Sequence, residues 1–513
     1  MIEGQFRVDW GVALKSICLR GFRNLESTSV DFAEGSNYLF GPNGAGKTNL
    51  LEAIHYLAIG RSFRRCPDAD MLGFGKDLLA VSGTDESGDT AEIRFDGREK
   101  RILRNSIPVD KLSEYFGWLP VVVLLLEDIE LVRGAPGIRR NFLDVAIAKA
   151  GPSRTGSYHK GTKTQSQDGP KSEVISQSAE GRSADGDSHH QDTKTPVART
   201  AEPEINHQDT KTQRGETSYI ALTSEYRRAV SQYNRLLERS GASREPVADQ
   251  LAAWEEELVL SGVPVYEARL AKVGGLLEHA ARHYERLAGH GAAFSYRSSI
   301  VPATLAGESS QAKLGDSPWK SQRALRRDSP RFCGTVPVFV SAAELAGAFR
   351  KRLAATRERA RYIGHAVVGP HRDDIRITRG ERELRKFGSV GEQRLAGIAL
   401  RLAEADMIVS AGRQRPVFLL DEVASELDEQ RSRMVLEMVA ERGQMVYAAA
   451  RRIRGSGVRG LASVAPVGQC GGSGSEDSVH DRSASPDPGT PGLQNPLLGK
   501  EFHVEAGKVS EVS

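Results

Sequence analysis

Short runs of apolar residues alternate along this chain with stretches in which apolar residues recur at the spacing of an α-helix. Residues 13–20 and 36–40 are predicted to be strands, and residues 121–126 form a nearly unbroken apolar run, as in the buried strands of α/β sheets. Between these strands, residues 47–58 carry apolar side chains on one helical face. The N-terminal part of the chain is therefore predicted to be α/β.

Helical periodicity dominates the middle of the chain before the α/β pattern returns. The predicted helices are 219–237, 247–287, 341–362 and 391–410, and the predicted strands that follow are 417–421 and 501–509. The fold class that this order favours is α/β, with a head that is split by a mostly helical second lobe.

Two stretches lack the apolar residues that a packed core needs. Residues 151–217 contain one aromatic residue, Tyr158, and residues 452–495 are rich in Gly, Ser and Pro, so both are predicted to be disordered. Residues 302–331 are predicted to form a long loop. The predicted divisions are a first α/β half at 1–148, a disordered insert at 149–217, a mostly helical lobe at 218–340, a second α/β half at 341–451, a second disordered insert at 452–497 and a terminal strand at 498–513.

The composition excludes several classes of protein. In 513 residues, 70 Lys and Arg nearly balance 67 Asp and Glu, so the formal charge of +3 excludes a histone-like polycation and leaves any nucleic-acid contact to local patches. Four cysteines without metal-ligand spacing indicate neither a disulfide scaffold nor a zinc site. No apolar run approaches the ~20 residues of a membrane span, and no signal peptide is recognised, so a cytoplasmic protein that does not bind a membrane is expected.

A glycine-rich segment between predicted strand 36–40 and predicted helix 47–58 matches the phosphate-loop pattern GxxxxGK[ST]. In such a loop, backbone N–H groups and the helix N-terminus surround phosphate oxygens. Lys47 is predicted to reach the β- and γ-phosphates, and Thr48 to offer a hydroxyl to Mg²⁺. A chance glycine turn is the alternative, which the flanking strand and helix disfavour. The candidate nucleotide-binding residues are Gly41, Pro42, Asn43, Gly44, Ala45, Gly46, Lys47 and Thr48.

The predicted strand 417–421 ends in the second half of such a site. Asp421 is predicted to hold Mg²⁺, and Glu422, pointing to the other side of the strand, to act as general base on the attacking water. Lys47 and Glu422 are the candidate catalytic residues; an ordinary buried strand that ends in acids is the alternative. Lys47 and Asp421 are 374 residues apart (421 − 47), so another domain must be inserted between the two halves of the site.

A third candidate site begins the predicted helix 391–410. Ser389 and Gly391 at a helix N-terminus can bind an anion. Because the chain already has one phosphate loop, this second site is predicted to bind a nucleotide held by another copy of the chain. Asp428 would lie at the same interface between two copies of the chain. The alternative is an ordinary capped helix on the surface.

The order of these motifs resembles the ABC-type ATPases, and the local sequences resemble the RecF family among them. The segments that carry the second resemblance are GFRN at 21–24, TNLLEAI at 48–54, GRSFR at 60–64, RRNFLD at 139–144, GPHRDD at 369–374 and SELD at 425–428. The resemblance as a whole covers about residues 13–144, 219–297 and 341–450, with a final strand at 501–509.

The resemblance implies a bacterial protein of DNA repair, DNA replication and the SOS response to DNA damage. Such a protein binds ATP with Mg²⁺, forms an ATP-dependent homodimer on single-stranded gaps, junctions or duplex DNA, and helps RecO and RecR to load RecA. Slow, DNA-dependent ATP hydrolysis would release the dimer, and neither nuclease nor helicase activity is implied. An ABC-type ATPase subunit coupled to another machine is the alternative function.

Three positions depart from the pattern of the RecF family. Glu422 stands where the family usually has aspartate, and this replacement by glutamate favours hydrolysis. LLED at 125–128 replaces the commoner SPED, and AAA at 448–450 ends a strand where threonine is typical. No γ-phosphate sensor is assigned to residues 448–450.

Two basic segments are candidates for DNA contact. Predicted helix 341–362 carries Arg350, Arg357 and Arg361, and a loop after the phosphate-loop helix carries Arg61, Arg64 and Arg65. A solvated basic surface is the alternative for both.

The GPHRDD segment is open to a purely structural interpretation. Gly369 and Pro370 predict a turn, and a buried Arg–Asp pair that involves Asp373 or Asp374 is at least as plausible there as a ligand contact of His371 or Arg372.

Overall fold

The computed structural model of the chain describes residues 13–110, 115, 117–151, 218–242, 248–300, 341–450 and 499–512. The predicted disordered inserts, except for residues 149–151, and the predicted loop at 302–331 lie outside the described residues.

Strands and helices are numbered in chain order. The strands are β1 (Leu14–Phe22), β2 (Leu25–Asp31), β3 (Ser36–Phe40), β4 (Leu79–Asp85), β5 (Thr90–Phe95), β6 (Lys100–Arg104), β7 (Ile107–Pro108), β8 (Val121–Leu125), β9 (Ala293–Arg297), β10 (Asp374–Arg379), β11 (Arg382–Glu383), β12 (Val417–Asp421), β13 (Met445–Ala449), β14 (Gly499–Glu505) and β15 (Lys508–Val512). The helices are α1 (Lys47–Ile59), α2 (Pro136–Lys149), α3 (Tyr219–Ala242), α4 (Ala248–Ala288), α5 (Ala342–Ile363), α6 (Val390–Ser410) and α7 (Glu429–Ala440). Single helical turns lie at Glu130–Arg133 and Leu384–Phe387, and 3₁₀ turns at Asp68–Met71, Leu126–Ile129, Pro370–Arg372 and Val423–Glu426.

The centre of the head is a six-stranded sheet in the order β15-β14-β3-β13-β12-β8. Its strand pairs are parallel except for β14 with β15. Along β8, Val121 and Val123 pack into the core around α1, whereas Val122 and Leu124 pack into the core of the opposite face. Because both faces of this strand are buried, its sequence is an apolar run without alternation. The fold class predicted from the sequence is confirmed.

A second, antiparallel sheet in the order β2-β1-β4-β5-β6-β7 is absent from the sequence prediction apart from β1. Buried and partly exposed residues alternate along β4, so each short strand offers few apolar positions and a weak pattern. Helix α1 contacts β1, β4 and β5 of this sheet and β8, β12 and β13 of the parallel sheet. The helix that follows the phosphate loop is therefore fixed between two sheets.

The helical lobe contains α3, α4 and α5, and its strand β9 joins β10 and β11 in a small antiparallel sheet. Helix α4 packs along α6 of the head. Tyr266 and Leu276 of α4 and Leu402 of α6 belong to one cluster of buried apolar side chains. The lobe and the head therefore share a core, and the exact domain boundaries stay a prediction.

At two places the structure differs from the sequence prediction. The single strand predicted at 501–509 is a hairpin of β14 and β15, because Ala506 and Gly507 have positive φ angles of 47° and 80° and reverse the chain. Lys149, which the prediction assigned to a disordered insert, is the last residue of α2 and is buried. Its ammonium group donates to the carboxylate of Glu404, which is far along the chain, so the local composition around Lys149 could not reveal this contact.

None of the helices in the described part of the chain is both long enough and apolar enough to cross a membrane.

Candidate nucleotide-binding site

The phosphate loop connects β3 to α1, and two of its glycines have backbone conformations that other residues rarely adopt. Gly46, directly before α1, has a φ angle of 116°. Gly41 has a φ angle of 153°, and a Cβ atom there would lie 2.0 Å from the carbonyl oxygen of Val504 in β14. At the other end of the hairpin, the N–H of Gly507 donates to the carbonyl of Ala45 at 3.0 Å. The terminal hairpin therefore supports the loop, and only glycine lets them approach this closely.

Lys47 already lies inside the loop. Its side chain is buried, and Nζ donates hydrogen bonds to the carbonyl oxygens of Gly41 at 2.8 Å and Pro42 at 3.0 Å. The ammonium group is thus held where loops of this type bind phosphate oxygens. Charged phosphate oxygens are stronger acceptors than the two carbonyl oxygens, so a bound nucleotide would take over these hydrogen bonds.

The two predicted magnesium ligands are in contact. Asp421 ends β12, and Thr48 at the start of α1 donates a hydrogen bond to its carboxylate. Burial raises the pKa of Asp421 above its usual value, and the bond from Thr48 offsets this effect only in part. A carboxylate whose charged form is disfavoured by burial gains from a nearby cation, which is the chemistry that a Mg²⁺ site requires.

Glu422 leaves the path of the strand. Its φ angle of 51° is in the left-handed region, which costs a residue other than glycine about 1–3 kcal/mol. In a regular strand, Asp421 and Glu422 would point to opposite faces, as the sequence analysis assumed. The turned backbone instead lets both side chains line one cavity of about 270 Å³, together with Lys47 and Thr48. The predicted direction of Glu422 is therefore wrong, whereas the predicted meeting of the loop with both acids is observed.

A buried acid on the helix after the loop binds side chains of two other RecF-like segments, GFRN and GRSFR. Glu52 of α1 is fully buried and accepts bonds from Arg23 Nε at 2.5 Å and Nη2 at 2.8 Å, and from the hydroxyl of Ser62. Arg64 Nη1 lies 3.3 Å from the same carboxylate and donates to Asn49 at 3.1 Å. Sequence reasoning missed this hub, although an acid on the apolar face of a predicted helix was a signal for it.

Arg64 lines the nucleotide cavity. The sequence analysis grouped it with Arg61 and Arg65 as a candidate for DNA contact, and all three residues are exposed. The structure places Arg64 beside the phosphate loop, where a cation faces the site of a bound phosphate. Its charge therefore faces the nucleotide cavity as well as solvent, and its DNA role stays a prediction.

The segment that follows β8 connects the cavity to α6. Glu127 lines the cavity, and the neighbouring carboxylate of Asp128 accepts from the N–H of Leu125 at 2.8 Å. Arg401 of α6 donates to Asp128 at 2.8 and 2.9 Å and lies 3.0 Å from Glu404. This buried chain of charges was also missed, because its members are hundreds of residues apart in the sequence.

Ser389 and Gly391 do not line the cavity that holds the phosphate loop of their own chain. Ser389 caps α6 through a reciprocal pair of bonds: its Oγ accepts from the N–H of Glu392 at 3.2 Å, and its own N–H donates to Glu392 Oε2 at 2.8 Å. Phe387 and Val390 beside it are 67% and 50% exposed. The capped helix that was considered as an alternative is present, and it is flanked by apolar side chains that face solvent.

Asp428 has a similar local position. It caps α7, and its Oδ1 accepts from the N–H of Arg431 at 2.9 Å. Like Ser389, it is not among the described residues that line the cavity.

The basic residues of α5 have acidic partners within the chain. Arg350 donates to Glu256 at 2.5 and 2.8 Å, and Arg357 donates to Glu255 at the same two distances. Arg361 lies 3.4 Å from Glu358. Phosphate contact by these side chains would compete with the ion pairs, so their DNA role stays a prediction.

The GPHRDD segment forms part of the seam between the lobe and the head. Arg139 lies 2.6 Å from Asp374, and Arg269 lies 3.3 Å from the buried Asp373. Both aspartates therefore pair with arginines of other segments, whereas Arg372 donates to the carbonyl of Ala366, so the prediction of a structural role holds but its pairing of Arg372 with an aspartate is wrong.

His371 of the same segment is neutral at physiological pH. Burial lowers its pKa to about 4, and its Nδ1 lies 2.7 Å from the hydroxyl of Tyr226. This histidine is thus a bonded part of the seam, in line with the structural interpretation.

Residues 16–216 match the family described as an AAA domain. Similar curated proteins are named DNA replication and repair protein RecF. The protein from Geotalea daltonii is 26% identical over 85% of this chain and 92% of its own length, and that from Symbiobacterium thermophilum is 29% identical over 83% and 88%. A solved structure of the recombination mediator protein RecF with ATP, in the RecFOR pathway, covers 98% of both chains with a TM-score of 0.65 and 19% identity, so it supports the fold.

Proposed function

Because the chain belongs to the RecF family, we propose that it is an ATP-dependent clamp that binds DNA in recombinational repair and replication. The proposal rests on one observation: the residues expected to contact the nucleotide lie at two separate places on the chain. The phosphate loop, Asp421 and Glu422 meet in one cavity, whereas Ser389 stands at an exposed helix start elsewhere on the chain.

The residues of the cavity fit ATP with Mg²⁺. The loop and Lys47 would bind the β- and γ-phosphates, and Thr48 and Asp421 would hold the metal ion. Mg²⁺ would neutralise charge on the phosphates when bound. Glu422 would orient a water molecule and accept its proton, since its turned backbone directs the side chain into the cavity. Hydrolysis is proposed to be slow and to release the clamp.

The dimer would complete the site. A second copy could offer its Ser389 and the N-terminus of its α6 to the γ-phosphate, and the exposed Phe387 and Val390 would be buried in the same interface. Glu392 now accepts the N–H of Ser389, so a phosphate would have to displace that carboxylate. Asp428 is proposed to lie at the same interface between the two copies.

The cellular role is proposed from the names of the relatives. One solved relative is described as a recombination mediator in the RecFOR pathway, so we propose RecR and RecO as partners and RecA as the protein that is loaded indirectly. The DNA bound would be single-stranded gaps, junctions or duplex, in the cytoplasm. Arg61, Arg64 and Arg65, which are exposed, stay candidates for phosphate contact, together with Arg350, Arg357 and Arg361 once their ion pairs open.

The proposal is tested by sedimentation of the whole protein with and without ATP and Mg²⁺, using the variants Ser389→Arg and Ser341→Arg. Ser341 caps α5 through the same pair of bonds with Glu344, so both variants lose an equivalent helix cap. We expect ATP to drive dimerisation of the wild-type protein and of Ser341→Arg, and not of Ser389→Arg. A wild-type protein that stays monomeric at saturating ATP, or equal effects of the two variants, would contradict the clamp.

A further inference from the structure

Two histidines of the helical lobe and an aspartate of the head converge away from the nucleotide cavity. His279 and His283 lie one turn apart on α4, and Asp406 lies on α6. Asp406 Oδ2 is 2.5 Å from His283 Nε2 and 3.3 Å from His279 Nδ1. All three potential ligand atoms lie within 4.8 Å of one another. We call these three residues the His–Asp cluster.

The donor set suits a borderline transition metal. Two imidazole nitrogens and one carboxylate oxygen are ligands that Zn²⁺ prefers, and two histidines four residues apart on a helix present their rings on one face. Ligand atoms at about 2.0–2.2 Å from a tetrahedral ion are about 3.3 Å apart. The His279–Asp406 distance already has this value, and the His283–Asp406 distance would widen by less than about 1 Å.

The surroundings leave one carboxylate oxygen directed at the histidines. Arg442 Nε donates to Asp406 Oδ1 at 2.9 Å, which orients the carboxylate in the way that outer-shell partners orient metal ligands. His283 is 8% exposed and Asp406 18%, whereas the more open His279 borders a cavity of about 440 Å³. Water from this cavity can supply a fourth ligand.

Hydrogen bonding without a metal is the competing explanation. In it, each ring would donate one N–H to Asp406, with Arg442, Arg282 and Arg415 also bordering the cavity. A divalent ion would instead accept a lone pair from each ring nitrogen and from the carboxylate oxygen. Two ring nitrogens that converge on one carboxylate oxygen are the arrangement that such coordination needs, and a metal-binding measurement separates the two explanations.

We propose that the His–Asp cluster binds an exchangeable divalent transition-metal ion, with Zn²⁺ as the occupant, that ties the helical lobe to the head. Asp406 lies seventeen residues after Ser389, about 25 Å along α6 at a rise of about 1.5 Å per residue. The ion would thus hold the far end of the helix whose start is proposed to reach a second copy. It would take no part in ATP chemistry, and the proposal does not depend on the dimer.

The test measures Co²⁺ and Zn²⁺ binding by the full-length chain, prepared without a histidine tag and stripped with a chelator. Co²⁺ in a site with nitrogen and oxygen ligands gives visible absorption bands, and Zn²⁺ should abolish them by displacement. Zn²⁺ binding to the folded state should also raise the Tm. The variant is His279→Gln, since this ring is the most exposed of the three and its loss disturbs packing least.

Two control variants also replace histidine by glutamine, but at positions outside the His–Asp cluster. His365→Gln removes a histidine that lies 3.3 Å from the carbonyl of Ile363 and outside the cluster. The double variant His189→Gln/His190→Gln removes the adjacent histidine pair of the sequence. We expect at least ~30-fold weaker Co²⁺ binding for His279→Gln, an unchanged metal-free Tm, and no effect of either control.

His283→Gln provides a second measurement in case His279→Gln unfolds, and it should lose the same bands. Absent bands in the wild-type protein would overturn the proposal. So would bands that survive both cluster variants, or bands that disappear with the His189 and His190 pair.

Discussion

Glu404, which is fully buried, and Asp421, which is partly buried, are both carboxylates of the head, but their electrostatic surroundings are opposite. Burial would raise the pKa of Glu404, yet Lys149 at 2.6 Å and Arg401 at 3.0 Å hold that pKa below its usual value. Burial also acts on Asp421, and there the bond from Thr48 is too weak to prevent a raised pKa. The protein supplies the cations for Glu404 and leaves Asp421 to gain one from a ligand.

A second contrast, in polar contacts rather than in pKa, separates the seam of the two lobes from the nucleotide cavity. At the seam, Asp373 accepts from Tyr296 at 2.5 Å and from the N–H of Ser299 at 2.7 Å, and Arg269 lies beside it. In the cavity, Glu422 is held in a backbone conformation that costs free energy. Burial raises the pKa of Asp373 as it raises that of Asp421, so the seam and the cavity differ in their polar contacts and in backbone strain rather than in this pKa.

Breaking the Glu404 network should have the largest effect. Lys149→Met leaves a fully buried carboxylate without its nearest cation, so the free energy of unfolding should fall by about 3–5 kcal/mol in a urea titration. The pKa of Glu404 is lowered by folding, so its stabilising contribution is present above 4.5, its ordinary pKa, and is lost in acid. The difference between the variant and the wild type should therefore shrink as the pH falls.

Lys500→Met is the matched control. Its ion pair with Glu511, at 3.2 Å, is exposed, so the expected loss is below about 1 kcal/mol. The double variant Lys149→Met/Glu404→Met should recover most of the stability that Lys149→Met loses. Equal losses for Lys149→Met and Lys500→Met would show that the buried network is not structural.

Removing the lysine of the cavity should affect binding rather than folding. Lys47→Met keeps the length of the side chain and removes the ammonium group, so ATP affinity should fall at least ~100-fold while the urea midpoint changes little. Isothermal titration with ATP and Mg²⁺ measures the affinity. Lys272→Met is the control, because Lys272 also donates to a backbone carbonyl, that of Ala150 at 2.7 Å. A loss of affinity in both variants would point to a general defect.

The sequence predicted the parts of this molecule that depend on neighbours along the chain. Strands β3 and β12 are confirmed residue for residue. Strand β12 reads as an apolar run because both of its faces are buried, whereas β3 was marked by the glycine-rich turn that follows it. The phosphate loop was recognisable for a similar reason, since its glycines and Lys47 are contiguous. The antiparallel sheet was missed because alternation over five to seven residues is a weak signal.

Pairs that are distant in sequence could not be predicted from one chain. Lys149 and Glu404 are 255 residues apart, and nothing near either of them indicates the partner. Arg64 was grouped with its basic neighbours because a sequence shows charge but not the direction in which it faces. The direction of Glu422 depends on a single backbone angle, which period-two reasoning cannot foresee.

The smallest expected effect gives the sharpest comparison, because Asp421→Asn and Glu404→Gln should change stability in opposite directions. Folding raises the pKa of Asp421, so its contribution to stability is present below 3.8, its ordinary pKa, and becomes a penalty as the pH rises. At pH 7 and without Mg²⁺, Asn should raise the free energy of unfolding by about 0.5–1 kcal/mol while it weakens Mg²⁺-dependent ATP binding. This gain should vanish in acid, whereas Glu404→Gln should lose stability at pH 7. Urea titrations at pH 7 and in acid, with a chelator present, measure the sign of the change in the free energy of unfolding for each variant. If Asp421→Asn proved less stable than the wild type at pH 7, Asp421 would already have its cation within the protein, and the contrast between the two carboxylates would fail.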